Sequence, residues 1–141
     1  MFSQTAEYAL RAVIWLADHA EEGRTRHVRI AEDAKVPPTY LAKVMQALAK
    51  SEIVASSRGV GGGYTLNRDP AKLTVLEVVN AIDPIQRIHG CPLKLASHGK
   101  NLCGMHARLD HAMALVEEVL RNSTIADILD EKSRPKPMVD S

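Results

Sequence analysis

The sequence predicts a mainly α-helical fold with one small β-hairpin, and three observations point there. Apolar residues recur at helical spacing in several separate segments. Only one pair of β-prone runs, Ile53–Ser57 and Tyr64–Leu66, flanks a glycine-rich turn. The chain has one Trp, three Tyr and one Phe in 141 residues, so its core must be built from Ala, Leu, Val and Ile packed helix on helix. That length holds one compact domain plus an appendage.

The first helix is expected from Ser3 to about Ala20. Tyr8, Ala12, Trp15, Leu16 and His19 recur along one stripe, and Leu10, Val13, Ile14 and Ala17 widen it until most of the circumference is apolar. Glu21–Arg26 is a polar loop containing Gly23, and a short helix over Val28–Lys35 turns Ile30, Ala31 and Ala34 inward. Val36-Pro37-Pro38-Thr39 then interrupts the chain. Proline is tolerated in a helix's first turn, where its missing N–H has no partner to lose, so a third helix runs from about Pro38 to Lys50 and buries Leu41, Val44, Met45 and Leu48. Two short helices joined tightly, the second exposing Thr39, Tyr40 and Lys43, match helix–turn–helix organisation.

The hairpin follows directly, with Arg58-Gly59-Val60-Gly61-Gly62-Gly63 as its tip, and a hairpin in that place is a wing. Glycines let a backbone approach a phosphate closely, and Arg58 can enter a narrowed minor groove. A nucleotide-binding loop is the competing reading, but no Lys-Ser/Thr follows the glycines and no long helix opens after them. Thr74 and Glu77 form a capping box before the apolar run Val75–Ile82, which packs as a fourth helix.

Asp83 to Gly104 has no clear period and contains Pro84, Gly90, Pro92 and Gly99. A loop of about twenty residues in a compact domain is usually functional or disordered. His106–Arg121 is helical again, with Leu109, Ala112, Met113, Val116, Val119 and Leu120 on one stripe. The winged domain is complete before it, so this face calls for a second subunit. Thr124 and Asp127 cap a last turn or two through Leu129, and Lys132–Ser141 is expected to be a flexible polar tail. The expected division is a winged helix–turn–helix DNA-binding domain over 1–83, a sensor loop over 84–104, the long dimerisation helix and terminal helix over 105–131, and the tail over 132–141.

Net charge is only +1, but between Arg24 and Arg58 seven bases face three acids. That local excess falls on the helix–turn–helix, where Arg29 joins Lys43 and Arg58 as a candidate phosphate contact. No serine–histidine–acid arrangement, nucleophile elbow or phosphate-binding lysine motif is present, so an enzyme is not expected; a winged-helix module that binds protein is the alternative class. The N-terminal segment lacks a basic leader pattern, and no apolar run approaches the ~20 residues of a membrane span. A cytoplasmic protein without a membrane partner is expected, its two cysteines reduced unless they bind metal or sense redox state.

Ala9-Leu10-Arg11-Ala12, Ile30-Ala31-Glu32, Tyr40-Leu41 and Arg58-Gly59 with Gly62-Gly63-Tyr64 together resemble the Rrf family of winged-helix transcription regulators, which includes IscR, NsrR, RirA and CymR. The resemblance spans about residues 1–130. It implies a homodimer on a palindromic double-stranded operator, acting as repressor or activator, with the long helix crossing to the partner. The residues it assigns to DNA are Arg29, Thr39, Tyr40, Lys43, Arg58, Gly59, Gly61, Gly62, Gly63 and Tyr64.

Some members of that family hold an iron–sulfur cluster, here expected as [2Fe–2S], on three cysteines before the dimerisation helix. Cys91 and Cys103 occupy the outer two positions, Ser97 stands at the middle one, and His106 matches a histidine ligand. A serine alkoxide is a poor iron ligand at neutral pH, whereas imidazole can replace thiolate, so the neighbouring His98 is a candidate in its place. His89 is a further candidate, and Glu7 could supply a carboxylate from the dimer partner. Three other readings stay open: a reversible Cys91–Cys103 disulfide, a loop that binds nothing, and mononuclear zinc on two Cys and two His, although no Cys-x-x-Cys pair is present.

Overall fold

A computed structural model describes residues 2–140. Its elements are α1 (Gln4–Asp18), α2 (His27–Asp33), α3 (Pro38–Lys50), β1 (Val54–Ser57), β2 (Gly63–Leu66), α4 (Val75–Ile82), α5 (Gly104–Arg121) and α6 (Ile125–Asp130). The mainly helical class with one hairpin is as expected.

Helix α1 is the hub. The Ser3 hydroxyl accepts from the Ala6 N–H (3.1 Å) and caps its start. Ala9, Ala12 and Val13 are fully buried, and the small side chains let α3, α4 and α6 all pack against one helix. The helix ends at Asp18, two residues earlier than expected, and a 3-10 turn over Ala20–Glu22 follows. His19 closes it: the imidazole stacks on Trp15 at 3.9 Å, and Nδ1 lies 2.8 Å from the Trp15 carbonyl oxygen.

Helix α2 also stops early, at Asp33, because Lys35 adopts a φ of 55° ahead of Val36-Pro37. Pro38 opens α3 in its first turn, and Leu41, Val44, Met45 and Leu48 face inward as their spacing required. Strands β1 and β2 pair antiparallel with Val54 opposite Leu66 and Ser57 opposite Gly63.

The hairpin is tied to the loop before α2 by a bridge that sequence periodicity does not encode. The Thr25 N–H donates to the Tyr64 carbonyl (3.0 Å), and the Tyr64 N–H donates back to Thr25 (2.8 Å). Gly63 permits this approach. Its φ is 148°, and a Cβ there would stand 2.4 Å from the Thr25 carbonyl oxygen.

The Thr74–Glu77 capping box starts α4, and a second box, Thr124 with Asp127, starts α6. The two starts are stitched together: Val75 N–H donates to Ser123 O and Ile125 N–H to Leu73 O, each at 2.9 Å. Ile125 is fully buried in the winged-domain core. The terminal helix, grouped by sequence with the long helix, therefore packs on α1. The polar tail also lies against this end of the molecule, where Lys136 pairs with Asp18 (2.9 Å) and Met138 packs on the core.

Helix α5 begins two residues before the expected start and has no fully buried residue. It packs on α4 and leaves Met105, Leu109, Met113, Leu115 and Val119 exposed. Among the described residues no helix is long and apolar enough to cross a membrane.

Candidate nucleic-acid interface and sensory loop

A cleft of about 710 Å³ runs between α3 and the wing. The start of α2 contributes Arg26, His27 and Val28; α3 contributes Ala42, Met45, Gln46 and Ala49. The hairpin supplies the other wall through Ser56, Ser57, Arg58, Gly59, Gly62, Gly63 and Tyr64. No Asp or Glu lines it, and neither Arg26 nor Arg58 has an ion-pair partner among the described residues. A trough lined by two unpaired guanidinium groups, with no opposing carboxylate, is suited to a polyanion.

The expected interface residues divide into groups. Arg58, Gly59, Gly62, Gly63 and Tyr64 lie together along the cleft, with Gly61 exposed at the hairpin tip. The Gly62 N–H closes the tip turn on Gly59 O (2.9 Å), and a Cβ on Gly62 would meet Ser57 O at 2.5 Å. Thr39, Tyr40 and Lys43 are exposed on the N-terminal half of α3, beyond the cleft lining. Tyr40 leans toward α1, its ring 5.8 Å from that of Tyr8, while Lys43 Nζ lies 6.0 Å from the Tyr40 ring.

Arg29 is placed differently from the rest. Its guanidinium bonds Glu22 at 3.1 and 3.2 Å, pairs with Asp33 at 3.7 Å and lies over Trp15 at 5.1 Å. It holds α2 to the end of α1 and does not line the cleft. Arg26, Gln46 and Ser57 were missed by sequence reading but do line it. For Gln46 the signal was available, since it continues the exposed helical spacing of Thr39 and Lys43.

The loop before α5 holds two separate thiol–imidazole pairs. Cys91 Sγ lies 3.8 Å from His98 Nδ1, and Cys103 Sγ lies 3.4 Å from His106 Nδ1 across the first turn of α5. All four side chains are half-buried, while Ser97 and His89 are exposed. Among the described residues no three His, Cys, Asp or Glu side chains are gathered into one metal-holding group. Glu7 stands apart from the loop pairs, bonded to Arg11 at 3.0 Å on α1. Two thiolates and two imidazoles fit, by donor chemistry, either a cluster of mixed sulfur and nitrogen ligation or tetrahedral zinc.

The start of the loop is clipped to α5. Arg87 donates to both Asp110 carboxylate oxygens (2.7 and 2.8 Å) and to Glu117 (2.8 Å), and the Ile88 N–H donates to Asp110 Oδ1 (2.8 Å). The Arg87 guanidinium foremost, and then the Ile88 amide, hold the Asp110 carboxyl well below the usual carboxylate range. Arg87 is in turn held more firmly protonated than usual by Asp110 and Glu117.

Known proteins agree with this architecture. A model of the Rrf2 family, described as iron-dependent transcriptional regulators, matches residues 2–131. The regulator IscR of Xenorhabdus nematophila is 30% identical over 138 residues, covering 92% of this chain and 84% of that protein. Among solved structures, IscR of T. potens superposes with a TM-score of 0.77 at 26% identity, covering 96% of this chain and 91% of its own. CymR, the global cysteine regulator of B. subtilis, superposes with a TM-score of 0.73 at 25% identity, covering 91% and 95%. These relatives are transcriptional regulators rather than enzymes, and the winged helix–turn–helix described above is theirs. The chain belongs to the Rrf2 family of transcriptional regulators.

Proposed function

We propose that this regulator is a homodimeric repressor that binds a palindromic operator and changes its affinity through chemistry at the Cys91–His106 loop. The acid-free cleft between α3 and the wing, with Arg26 and Arg58 unpaired along it, is the observation that carries the DNA-binding part. Lys43 and the tip glycines extend that surface on either side. The exposed apolar face of α5 supports the dimer: Leu109 and Met113 are exposed over successive turns, and a second copy would cover them. Two copies related by a two-fold axis would read two inverted half-sites.

Cys91, Cys103, His106 and His98 are the residues that would hold a [2Fe–2S] cluster, or zinc as the secondary occupant. Glu7 could add a carboxylate only from the partner. When bound, a cluster would supply a redox-sensitive charge, and either group would link the loop to the start of α5. The chain's own part is mechanical. The Arg87–Asp110 clip anchors the loop to α5 at one end and Cys103 leads directly into the first turn of that helix at the other, so drawing the two thiol–imidazole pairs together would move the loop against the dimerisation helix. A cluster-free thiol switch on Cys91 and Cys103 is the second reading, favoured by the half-exposure of both sulfurs.

Gel shift against genomic fragments at increasing salt tests the DNA-binding part. Selective retardation that weakens steeply with salt is expected; binding that ignores sequence, or is indifferent to salt, would overturn it and favour a protein-binding module. Anaerobic purification with iron and sulfide analysis tests the sensor. Iron-free, colourless protein after reconstitution would exclude the cluster, and equal operator affinity with and without the bound group would exclude control through it.

A further inference from the structure

On a helix turning 100° per residue, Ala42 and Gln46 lie one above the other, and Gln46 stands about 30° from the middle of the exposed stripe it makes with Thr39, Lys43 and Lys50, on the side toward Ala42. Both line the cleft opposite the wing. The Gln46 amide makes no hydrogen bond to any described residue, so its donor and acceptor are free. Its neighbours on the stripe are a hydroxyl and two lysines, groups suited to phosphate. Gln46 is the one side chain there with a donor and an acceptor fixed side by side. In the major groove that pattern matches adenine, whose N6–H donates to an amide oxygen while N7 accepts from the amide N–H. Ala42 offers only a methyl group, suited to the methyl of thymine. Their separation along the helix axis, about 6 Å, spans no more than two base pairs.

We propose that Gln46 reads an adenine in each operator half-site and that Ala42 packs on a thymine methyl within two base pairs of it, making this pair a determinant of sequence specificity. The proposal rests on the DNA-binding reading above. It also divides labour along α3, since Lys43 would position the helix on the backbone without reading bases.

Binding-site selection from randomised duplexes tests it, using the full chain and its Gln46→Ala, Gln46→Glu and Lys43→Ala variants at fixed salt. The parent is expected to select adenine at one position per half-site, about tenfold over the other bases. Gln46→Ala should level that position while leaving the remaining preferences and the salt slope intact. Gln46→Glu should move the preference toward cytosine, whose N4–H a carboxylate accepts. Lys43→Ala should weaken all sites alike and reduce the salt slope by about one. An unchanged selection profile for Gln46→Ala, or a uniform loss of affinity, would overturn the assignment while leaving DNA binding intact. No selection of any sequence by the parent would overturn both. Gln46 is exposed, and unchanged helical circular dichroism would show that the variants fold.

Discussion

Replacing Gly63 by alanine is expected to detach the wing from the body of the domain. The new Cβ would stand 2.4 Å from the Thr25 carbonyl oxygen and 2.7 Å from its carbon, both backbone atoms that no rotamer change can move aside. Relief requires opening the Thr25–Tyr64 bridge, with its two hydrogen bonds of 3.0 and 2.8 Å. Each contributes about 1 kcal/mol net, and a non-glycine residue at a φ of 148° adds strain of about 1–2 kcal/mol. The sum, about 3–4 kcal/mol, is a large share of an ordinary domain's stability. Urea and thermal unfolding should show it, the latter as a fall in Tm of roughly 10 °C. Gly61→Ala is the control: φ there is also positive, at 76°, but nothing lies within 4 Å of the added Cβ, so only strain of about 1 kcal/mol is expected. Equal unfolding midpoints for the two variants would refute the close-approach reasoning. Operator affinity measured where both remain folded should fall further for Gly63→Ala, because Gly63 and Tyr64 form part of the cleft wall.

Three further outcomes are expected. Asp110→Asn should release the loop from α5 and lower stability at neutral pH. Because the folded-state pKa is depressed, the contribution is fully present above the ordinary carboxylate value of about 4 and is lost only as pH falls below it; parent and variant should therefore converge in strong acid, and equal stability at pH 7 would count against the clip. If the loop binds a cluster, Cys91→Ala and Cys103→Ala should each abolish the visible absorbance of reconstituted protein. Ser97→Ala should leave it nearly unchanged if His98 is the fourth ligand, and its loss there would instead assign Ser97 to the site. Leu109→Asp together with Met113→Asp should yield a folded monomer in sedimentation experiments, since both are exposed in the single chain; a dimer retained with both charges would place the interface elsewhere.

The local signals in this chain were strong. Pro38 in a first turn and the Thr74–Glu77 and Thr124–Asp127 boxes act within three or four residues, so their helices begin where expected. Leu41, Val44, Met45 and Leu48 are buried because a 3.6-residue repeat has one inward face whichever neighbour supplies the core. The glycines and Arg58 marked the wing because a tight turn beside a close backbone approach admits few residue types.

What depended on contacts between elements could be read only from the packed chain. Arg29 looked like one more free cation until Trp15 and Glu22 of the preceding elements closed on it, beside Asp33 one turn along its own helix. Its neighbour Arg26, alike in sequence, was left unpaired in the cleft. The same applies to the loop. Composition supplied two thiols and several imidazoles, but tertiary structure sorted them into a Cys91–His98 pair and a Cys103–His106 pair and clipped Arg87 across to Asp110. Sequence by itself thus determined the helices, the wing and the family, because backbone propensity and hydrophobic period are local. Which charges remain free for a ligand was decided only by the tertiary structure, because an ion pair depends on what the fold brings within about 4 Å of it.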